Sequence, residues 1–340
     1  MLKKFIASIV MLVFITACTN QQSKEELSFS SWGSITEVQV IHKVISDFEK
    51  QNPEIQVKFM HIPQNYFQKL HLLFAASTPP DVIFINSLYL PVYADELIDL
   101  SQIFDFAPFY EKSVVALSSG GKKLAVPRDV SNFVLYYNKN IVKSPKITNI
   151  SELESVLSKA TTTKHWGISF ERDVFLAEPY TLTLGVDKGI NFYKNIEGKY
   201  APKPSDVGSS TLAQMFLDEK LAFYLSGRWM YPKISSTAKF PFGIILFPGN
   251  VAADSSGWAI SKNTKHRDAA IKFVKYLSSK ESIDYFTQTG LIVPARIDSS
   301  HALNNPKEKV FLGSINTSVH VERGKDYNKN RDKLNKQYFN

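Results

Sequence analysis

The order of apolar patterns between residues 27 and 87 constrains the fold more than any other feature of this sequence. The stretches LSFSSWGS, IQVKFMHI and PPDVIFINS alternate or run apolar in the manner of strands. Between them, TEVQVIHKVISDFEKQNP and NYFQKLHLLFAAS repeat apolar residues every three or four positions, as helices do. This order predicts an α/β domain with a largely parallel sheet. Ligands of such sheets bind at loops beyond the carboxyl ends of the strands, which here contain Trp32 and Asn86.

A second set of patterns follows residue 127. ISELESVLSKA, VFLAEPYTLTLGV and RDAAIKFVKYLSS are predicted helices, and WGISF, LAFYLSGRWM, FPFGIILFPG and GWAIS are predicted strands. The chain has 340 residues, which is more than a single hydrophobic core usually supports. We therefore expect two α/β domains.

The first 18 residues have the features of an export signal. Lys3 and Lys4 precede an uncharged apolar run over residues 5–15, which is long enough for a signal peptide and too short to span a membrane. The order Ile15-Thr16-Ala17-Cys18 resembles the lipobox of bacterial lipoproteins, and Cys18 is the single cysteine of the chain. We expect a signal peptide over residues 1–17, lipid attachment at Cys18 and a cell-envelope location, periplasmic or on the outer face of the cytoplasmic membrane. An ordinary secretory signal with an incidental cysteine is the alternative.

Charge and motif content argue against several classes of function. The net charge is +8, and residues 306–340 carry eight basic and four acidic side chains. We interpret this basic tail as a solvated surface, because an exported protein without an aromatic–basic RNA motif is a poor candidate for nucleic-acid binding. The G-x-S-x-G, G-x-G-x-x-G and H-E-x-x-H motifs are absent from the sequence, and the seven histidines are scattered. We therefore predict no cofactor, no metal and no nucleic-acid partner.

Aromatic residues in loop-like contexts are the strongest candidates for ligand contacts. Trp32, Tyr180, Trp229 and Trp258 each lie near a glycine or proline at the edge of, or within, a predicted element. A sugar ring has an apolar face that stacks on an aromatic ring and hydroxyl groups that bind carboxylates, amides or arginine. The alternative for any one of these rings is a place in the core.

Five segments, in order, resemble one known family. They are PPDVIFINSLYLPVYADELIDLS, LAVPRDVSNFVLYYNKN, LAEPY, KLAFYLSGRWM and SSGWAISKNTKHRDAAIKFVKYLSS followed by TGLIVPAR. The chain resembles the extracellular solute-binding proteins of bacterial ABC importers (family 1, the maltose-binding-protein-like group), in a lipoprotein form.

The resemblance implies a two-domain periplasmic-binding-protein fold of type II, with three interdomain crossings and a ligand cleft between the domains. The crossings are expected near Pro127–Val130, Ser255–Trp258 and Arg296–Ser299. After a lipidated tether over 18–26, domain 1 would comprise residues 27–127 plus 258–297. Domain 2 would comprise 128–257 plus 298–340, shortened because a helical excursion usual in the family is missing after Tyr180 and the tail ends early.

The resemblance also implies a set of ligand-binding residues. Trp229 would be a stacking platform, and Glu178 with Tyr180 a hydrogen-bonding and stacking pair. The wall from domain 1 would contain Trp32 and Asn86, and that from domain 2 Asp129 and Asn132, while Gly257, Trp258 and Arg296 would lie at the later crossings. Arg228 departs from the family pattern, and it would either face solvent or bind an anionic ligand.

The function implied is capture of a carbohydrate-like solute by hinge closure and its delivery to the transmembrane subunits of an ABC permease. The protein would act as a monomer tethered by its lipid, and it would catalyse no reaction. The rival prediction is an exported glycosidase that uses Asp129 and Glu178 as its carboxylate pair.

Overall fold

The computed structural model describes residues 24–303 and 305–339. The predicted signal peptide and Cys18 lie outside these residues. The strands are β1 (Glu25–Ser31), β2 (Ile55–His61), β3 (Val82–Asn86), β4 (Ser118–Ser119), β5 (Lys122–Lys123), β6 (Val126–Val130), β7 (Val134–Asn138), β8 (Trp166–Ile168), β9 (Leu221–Ser226), β10 (Phe242–Leu246), β11 (Val251–Ala252), β12 (Ser255–Ile260) and β13 (Ser318–Val319).

Thirteen α-helices accompany the strands in the described part of the chain. They are α1 (Ile35–Gln51), α2 (Tyr66–Ala75), α3 (Glu111–Ala116), α4 (Ile150–Ala160), α5 (Val174–Leu184), α6 (Val186–Ile196), α7 (Pro204–Val207), α8 (Leu212–Leu217), α9 (Tyr231–Thr237), α10 (Arg267–Leu277), α11 (Lys280–Gln288), α12 (Lys309–Thr317) and α13 (Tyr327–Phe339). Short 3₁₀ segments cover Leu90–Glu96, Arg228–Met230 and Ile297–Ala302.

The first lobe is built on a five-stranded sheet of order β2-β1-β3-β12-β6. Strand β1 runs parallel to β2 and β3, whereas β12 is antiparallel to β3 and β6. Ser34 caps the beginning of helix α1, because its side chain accepts a hydrogen bond from the backbone N–H of Glu37. The apolar stripe of α1 from Val40 to Phe48 is buried. The strands β1 and β3 end at the cleft edge of this lobe, as the sequence pattern predicted. Glu25 and Glu26, expected in a tether, already pair with β2.

The second lobe is built on a four-stranded sheet of order β10-β7-β9-β8. Strand β7 is antiparallel to β9 and β10, and β8 is parallel to β9. Helices α5 and α6 pack against each other. Tyr180 of α5, Tyr193 of α6 and Phe223 of β9 are buried together in the core of this lobe. The described residues thus form a mixed α/β fold with one main sheet in each lobe and two further two-stranded sheets, β4-β5 and β11-β13.

Over residues 24–303 and 305–339, the chain passes between the two main sheets three times, a few residues away from the expected positions. Strand β6 remains in the first sheet through Val130, and β12 joins that sheet at Ser255, where the two residues pair in register. The first two crossings therefore lie at residues 131–133 and 253–254. They are hydrogen-bonded to each other, because Ser131 donates to the carbonyl of Asp254 at 3.0 Å. The third crossing follows Ala302, since the turn Ile297–Ala302 packs on α11 while α12 packs on β10.

The basic tail is folded onto the second lobe, and five of its eight basic side chains are exposed, as expected for a solvated surface, whereas Arg323 is buried. Strand β13 pairs with β11, and α13 packs on α5. The side chain of Asn335 accepts a hydrogen bond from the backbone of Val174 at 2.8 Å, and Arg331 pairs with Asp173 at the beginning of α5. These contacts fix the end of the helix that carries Glu178. Over the described residues, no helix is both long and apolar enough to cross a membrane.

Candidate ligand-binding cleft

A cavity of about 930 Å³ lies between the two lobes. From the first lobe, the lining includes Trp32, Gly33, Glu37, Tyr66, Phe67, Phe84, Asn86 and the loop 289–292. From the second lobe, it includes Phe175, Arg228, Trp229, Pro232 and Lys233. At or beside the crossings, it includes Asp129, Ser131 and Asp254. This volume lies at the upper end of the range that small-molecule sites occupy in proteins. The cleft is large enough for a ligand of several rings.

Aromatic rings form the wall of the cleft on the first lobe. Trp32 follows β1 directly, and its ring packs at 4.5 Å from Phe84 and 5.0 Å from Tyr66 (centroid distances). The backbone then turns at Gly33, whose φ of 148° is accessible mainly to glycine, before α1 begins. Asn86, the last residue of β3, lies at the same edge. The structure therefore brings Trp32 and Asn86 together in the cleft wall.

Trp229 forms the opposing wall on the second lobe. The ring is 46% exposed, which is unusual for tryptophan, and it contacts Phe133 edge-on at 5.6 Å. It follows β9 after Gly227, where a Cβ atom would overlap the indole ring. Glycine at position 227 therefore allows the indole to lie close against the backbone while much of the ring remains uncovered.

A buried charge network forms the floor of the cleft. The guanidinium of Arg128 binds Glu37 at 2.6 Å and Asp129 at 2.7 Å, and it lies over the Phe84 ring at 4.0 Å. The other carboxylate oxygen of Asp129 accepts a hydrogen bond from Ser131 at 3.1 Å. Asp129 lines the cleft, but it does so from β6 of the first lobe and not from the second domain as expected, and both of its carboxylate oxygens already have partners within the protein.

Asp254 is a cleft residue that the sequence reasoning missed. One of its carboxylate oxygens accepts a hydrogen bond from Ser87 of the first lobe, and its backbone N–H donates to Asn132 at 2.7 Å. Burial raises the pKa of Asp254 to about 6; the Ser87 hydroxyl and Arg323 oppose this shift, and Asp129 adds to it. The sequence signal that could have identified Asp254 is its position directly before the predicted strand β12, where the chain crosses between the lobes.

Arg228 neither faces solvent nor presents a free charge to the cleft. Its side chain is 5% exposed, and it binds the equally buried Glu308 at 2.6 Å and the carbonyl of Gly290 in the first lobe. The expectation that Arg228 faces solvent is therefore wrong, whereas the alternative that it binds an anionic ligand stays a prediction, with Glu308 already balancing its charge.

Glu178 and Tyr180 do not line the cleft. Both oxygens of Glu178 accept hydrogen bonds from Arg323 of the tail at 2.8 Å, and burial raises the pKa of this carboxyl against the opposing effect of Arg323. Tyr180 is fully buried between Phe192 and Phe247. Helix α5 therefore turns these two side chains toward the tail and the core of the second lobe.

The expected binding residues at the later crossings also have structural roles. Trp258 is 2% exposed between Phe84 and Phe286, because β12 lies inside the sheet. At Gly257, a Cβ atom would overlap the carbonyl oxygen of Val126 on the adjacent strand. The glycine is thus required by close strand packing.

Two further predicted binding residues, Asn132 and Arg296, form hydrogen bonds within the protein. Asn132 is 2% exposed and caps the backbone of Asp254. Arg296 binds Asp298 with two nitrogens and donates to the carbonyl of Ser278 at 3.0 Å, outside the cleft. Of the ten predicted binding residues, Trp32, Asn86, Asp129 and Trp229 line the cleft.

The arrangement gives no support to the glycosidase alternative. Asp129 is bound by Arg128, and Glu178 is bound by Arg323 away from the cleft. A glycosidase needs two carboxyl groups on either side of the scissile bond. In the part of the chain that the structure describes, no three histidine, cysteine or acidic side chains form a group that could hold a metal ion.

Comparison with known proteins gives one consistent result. The family model described as bacterial extracellular solute-binding protein matches residues 32–283. The maltodextrin-binding protein of Bacillus subtilis is 25% identical over 327 residues, covering 81% of this chain and 75% of that protein. The multiple sugar-binding protein of Streptococcus mutans is 24% identical over 338 residues, covering 81% and 77%.

Among solved structures, the ABC substrate-binding protein of Listeria monocytogenes in complex with cycloalternan superposes with a TM-score of 0.80. Its sequence identity is 22%, and the superposition covers 93% of both chains. This similarity shows that the overall fold is shared.

Proposed function

Because this chain belongs to the bacterial extracellular solute-binding proteins, we propose that it captures a carbohydrate in the cleft between its lobes and delivers it to an ABC permease. The two relatives named above bind maltodextrin and multiple sugars according to their names. A sugar ligand is therefore the first class to consider for the cleft of this protein.

The observation that carries the proposal is the pair of tryptophans at the cleft, one from each lobe. Trp32 and Trp229 both line the cavity, and 46% of the Trp229 surface is exposed. Leaving so much apolar surface in water is unfavourable by about 25 cal/mol per Å². The apolar face of a sugar ring covers such a surface, while its hydroxyls reach Asn86 and Asp254.

The position of these groups supports binding by lobe closure. A ligand shifts an equilibrium between open and closed forms only through its different affinity for the two. A ligand in this cleft contacts Trp32 and Phe67 on one lobe and Trp229 and Phe175 on the other. It therefore makes its full set of contacts only when the lobes approach each other.

The ion pairs of the two buried arginines favour an uncharged ligand, and the remaining basic residue of the cleft lining, Lys233, is exposed to solvent. Arg128 is balanced by Glu37 and Asp129, and Arg228 by Glu308. A phosphate or carboxylate on the ligand would have to compete with these buried carboxylates for the two arginines. Neutral hydroxyl groups make hydrogen bonds without disturbing the pairs.

We further propose that the protein changes no covalent bond of its ligand and acts as a monomer. We retain the proposal that residues 1–17 are a signal peptide and that Cys18 carries a lipid, which would hold the protein at the cell envelope beside its permease. Each methylene of an acyl chain adds about 0.8 kcal/mol of membrane affinity.

A thermal-shift screen tests the binding proposal. The purified chain from residue 24 onward is titrated with neutral mono-, di- and oligosaccharides and with glycerol phosphates. A sugar at 100 times its Kd raises the free energy of unfolding by about 2.7 kcal/mol. The bound sugar is then recovered after denaturation and identified by mass spectrometry.

We expect the recovered sugar to be unaltered. Stabilisation by glycerol phosphates alone would contradict the assignment of an uncharged ligand, and recovery of a cleaved sugar would contradict a pure binding function. The variant Trp229→Ala should lose the stabilisation, whereas Tyr285→Ala, which removes a partly exposed ring outside the cleft, should retain it.

A further inference from the structure

A second cavity, of about 850 Å³, lies beside the central cleft. Tyr66 and Phe67 line both cavities, so these two side chains lie between the two spaces. One wall of the second cavity comes from α2 and the turn Leu90–Glu96 of the first lobe. The other comes from Arg331 and Asp332 of the tail helix α13. The second cavity is therefore also bounded by both lobes.

A series of aromatic rings leads from the cleft into the second cavity. The ring centroids of Trp32 and Phe67 are 5.4 Å apart. Phe67 in turn stacks on Tyr89 with a centroid distance of 3.7 Å and an interplanar angle of 7°. Tyr89 is only half-buried and lines the second cavity, not the first. Because Phe67 and Tyr89 cover one face of each other, a sugar chain that passes them can contact only the ring edges and the opposite face of Tyr89, on which one sugar unit can stack.

Polar groups accompany these rings in the second cavity. Gln68, His71 and Asp332 are exposed on its walls and can exchange hydrogen bonds with hydroxyl groups. Arg331 is held in place by Asp173 and lies over the ring of Phe175 at 5.3 Å. Phe175 lines the central cleft, so Arg331 connects the walls of the two cavities.

We propose that the ligand is an oligosaccharide longer than a disaccharide, which continues from the central cleft past Phe67 into the second cavity and stacks on Tyr89. This inference rests on the proposed function and adds the length of the ligand and a second binding subsite. The central cleft alone already has the volume of a complete small-molecule site. The adjoining cavity accommodates additional sugar units that the central cleft does not contact.

Isothermal titration calorimetry with a length series tests the proposal. The probes are α-1,4- and β-1,4-linked glucose oligomers of two to six units. In one of the two series, the affinity of the wild-type protein should rise by about tenfold or more beyond the disaccharide. Tyr89→Ala should remove this gain while the affinity for the disaccharide changes less than about twofold, since an anchor ring matters only to the unit it contacts.

Two variants control the comparison. Tyr89→Phe retains the ring and should keep most of the gain with length, whereas Tyr285→Ala removes a tyrosine outside both cavities and should change nothing. Equal affinities for short and long oligomers, or an equal loss for both in Tyr89→Ala, would overturn the second subsite and leave sugar capture intact. If neither an oligomer nor any other sugar bound, the proposed function of sugar capture would be wrong, and the proposed second subsite would be wrong with it.

Discussion

Replacing Glu178 by glutamine removes the counter-charge of Arg323, which is 4% exposed in its side chain. The two hydrogen bonds of 2.8 Å join this arginine to Glu178 across the interface between α5 and the tail. Loss of one partner of a buried pair typically costs about 3–5 kcal/mol because the other charge stays buried without compensation. Glutamine still accepts one hydrogen bond, and the nearby Asp254 compensates in part, so we expect a loss of about 2–4 kcal/mol.

Thermal unfolding followed by circular dichroism measures this loss. For a chain of more than 300 residues, one kcal/mol corresponds to roughly 1.5 °C, so Tm should fall by about 3–6 °C. Glu154→Gln is a matched control, since Glu154 is 42% exposed and its contact with Lys199 spans 3.4 Å. An exposed ion pair of this kind contributes about 0–1 kcal/mol to the free energy of unfolding, so the control should lose much less stability than Glu178→Gln.

Sugar affinity separates this structural role from a direct contact with the ligand. Neither Glu178 nor Arg323 lines the central cleft, so the Kd of Glu178→Gln should stay within about threefold of the wild-type value. The double variant Glu178→Leu/Arg323→Met should recover much of the lost stability, because it removes both charges. An unchanged Tm together with a tenfold weaker Kd would refute the reasoning and return Glu178 to the binding site.

Three further perturbations test the cleft and the anchor. Trp229→Ala should weaken sugar binding by about 1–4 kcal/mol in calorimetry while Tm falls little, because the ring is 46% exposed; a large fall in Tm with normal binding would contradict this. Since burial raises the pKa of Asp254 from 3.8 to about 6, the folded state holds this proton more tightly than the unfolded state. The free energy of unfolding should therefore fall by about 1–3 kcal/mol between pH 4 and pH 6 on this account, and Asp254→Asn should flatten that part of the urea-unfolding profile. Cys18→Ser should abolish palmitate incorporation in cells, and continued labelling would exclude Cys18 as the attachment site.

The sequence predicted the elements of the fold well, because their signals are local. The apolar stripe of α1 and the alternation of β2 follow directly from residues within each segment. Trp32 and Asn86 were also predictable, since Trp32 follows β1 and Asn86 ends β3, and the carboxyl ends of both strands lie at the cleft. For the same reason Trp229, which follows a strand and a glycine, was identified as a cleft residue.

Trp258 shows why the same local signal fails elsewhere. It follows a glycine just as an exposed ring would, yet β12 pairs with β3 on one side and β6 on the other. The burial of this ring depends on pairing between strands that are far apart in sequence. A single strand does not reveal whether it lies at the centre or the edge of a sheet.

The tail illustrates the limit of reasoning from charge. Eight basic and four acidic residues suggested a solvated surface. Two of the arginines, Arg323 and Arg331, instead pair with Glu178 and Asp173, about 150 residues earlier in the chain. The partners of a charge across such a distance are set by tertiary packing. The orientation of Glu178 toward the tail, and therefore away from the cleft, could not be predicted without it.

A crystal structure of the complex with the sugar that stabilises the protein most is the most direct test of the central claim. We expect electron density for the sugar between Trp32 and Trp229, with one ring stacked within about 4–4.5 Å of the Trp229 indole. We also expect the lobes to enclose it and Asp254 to accept a hydrogen bond from a hydroxyl group. Density for the sugar at any other surface, with the cleft holding solvent alone, would contradict the claim.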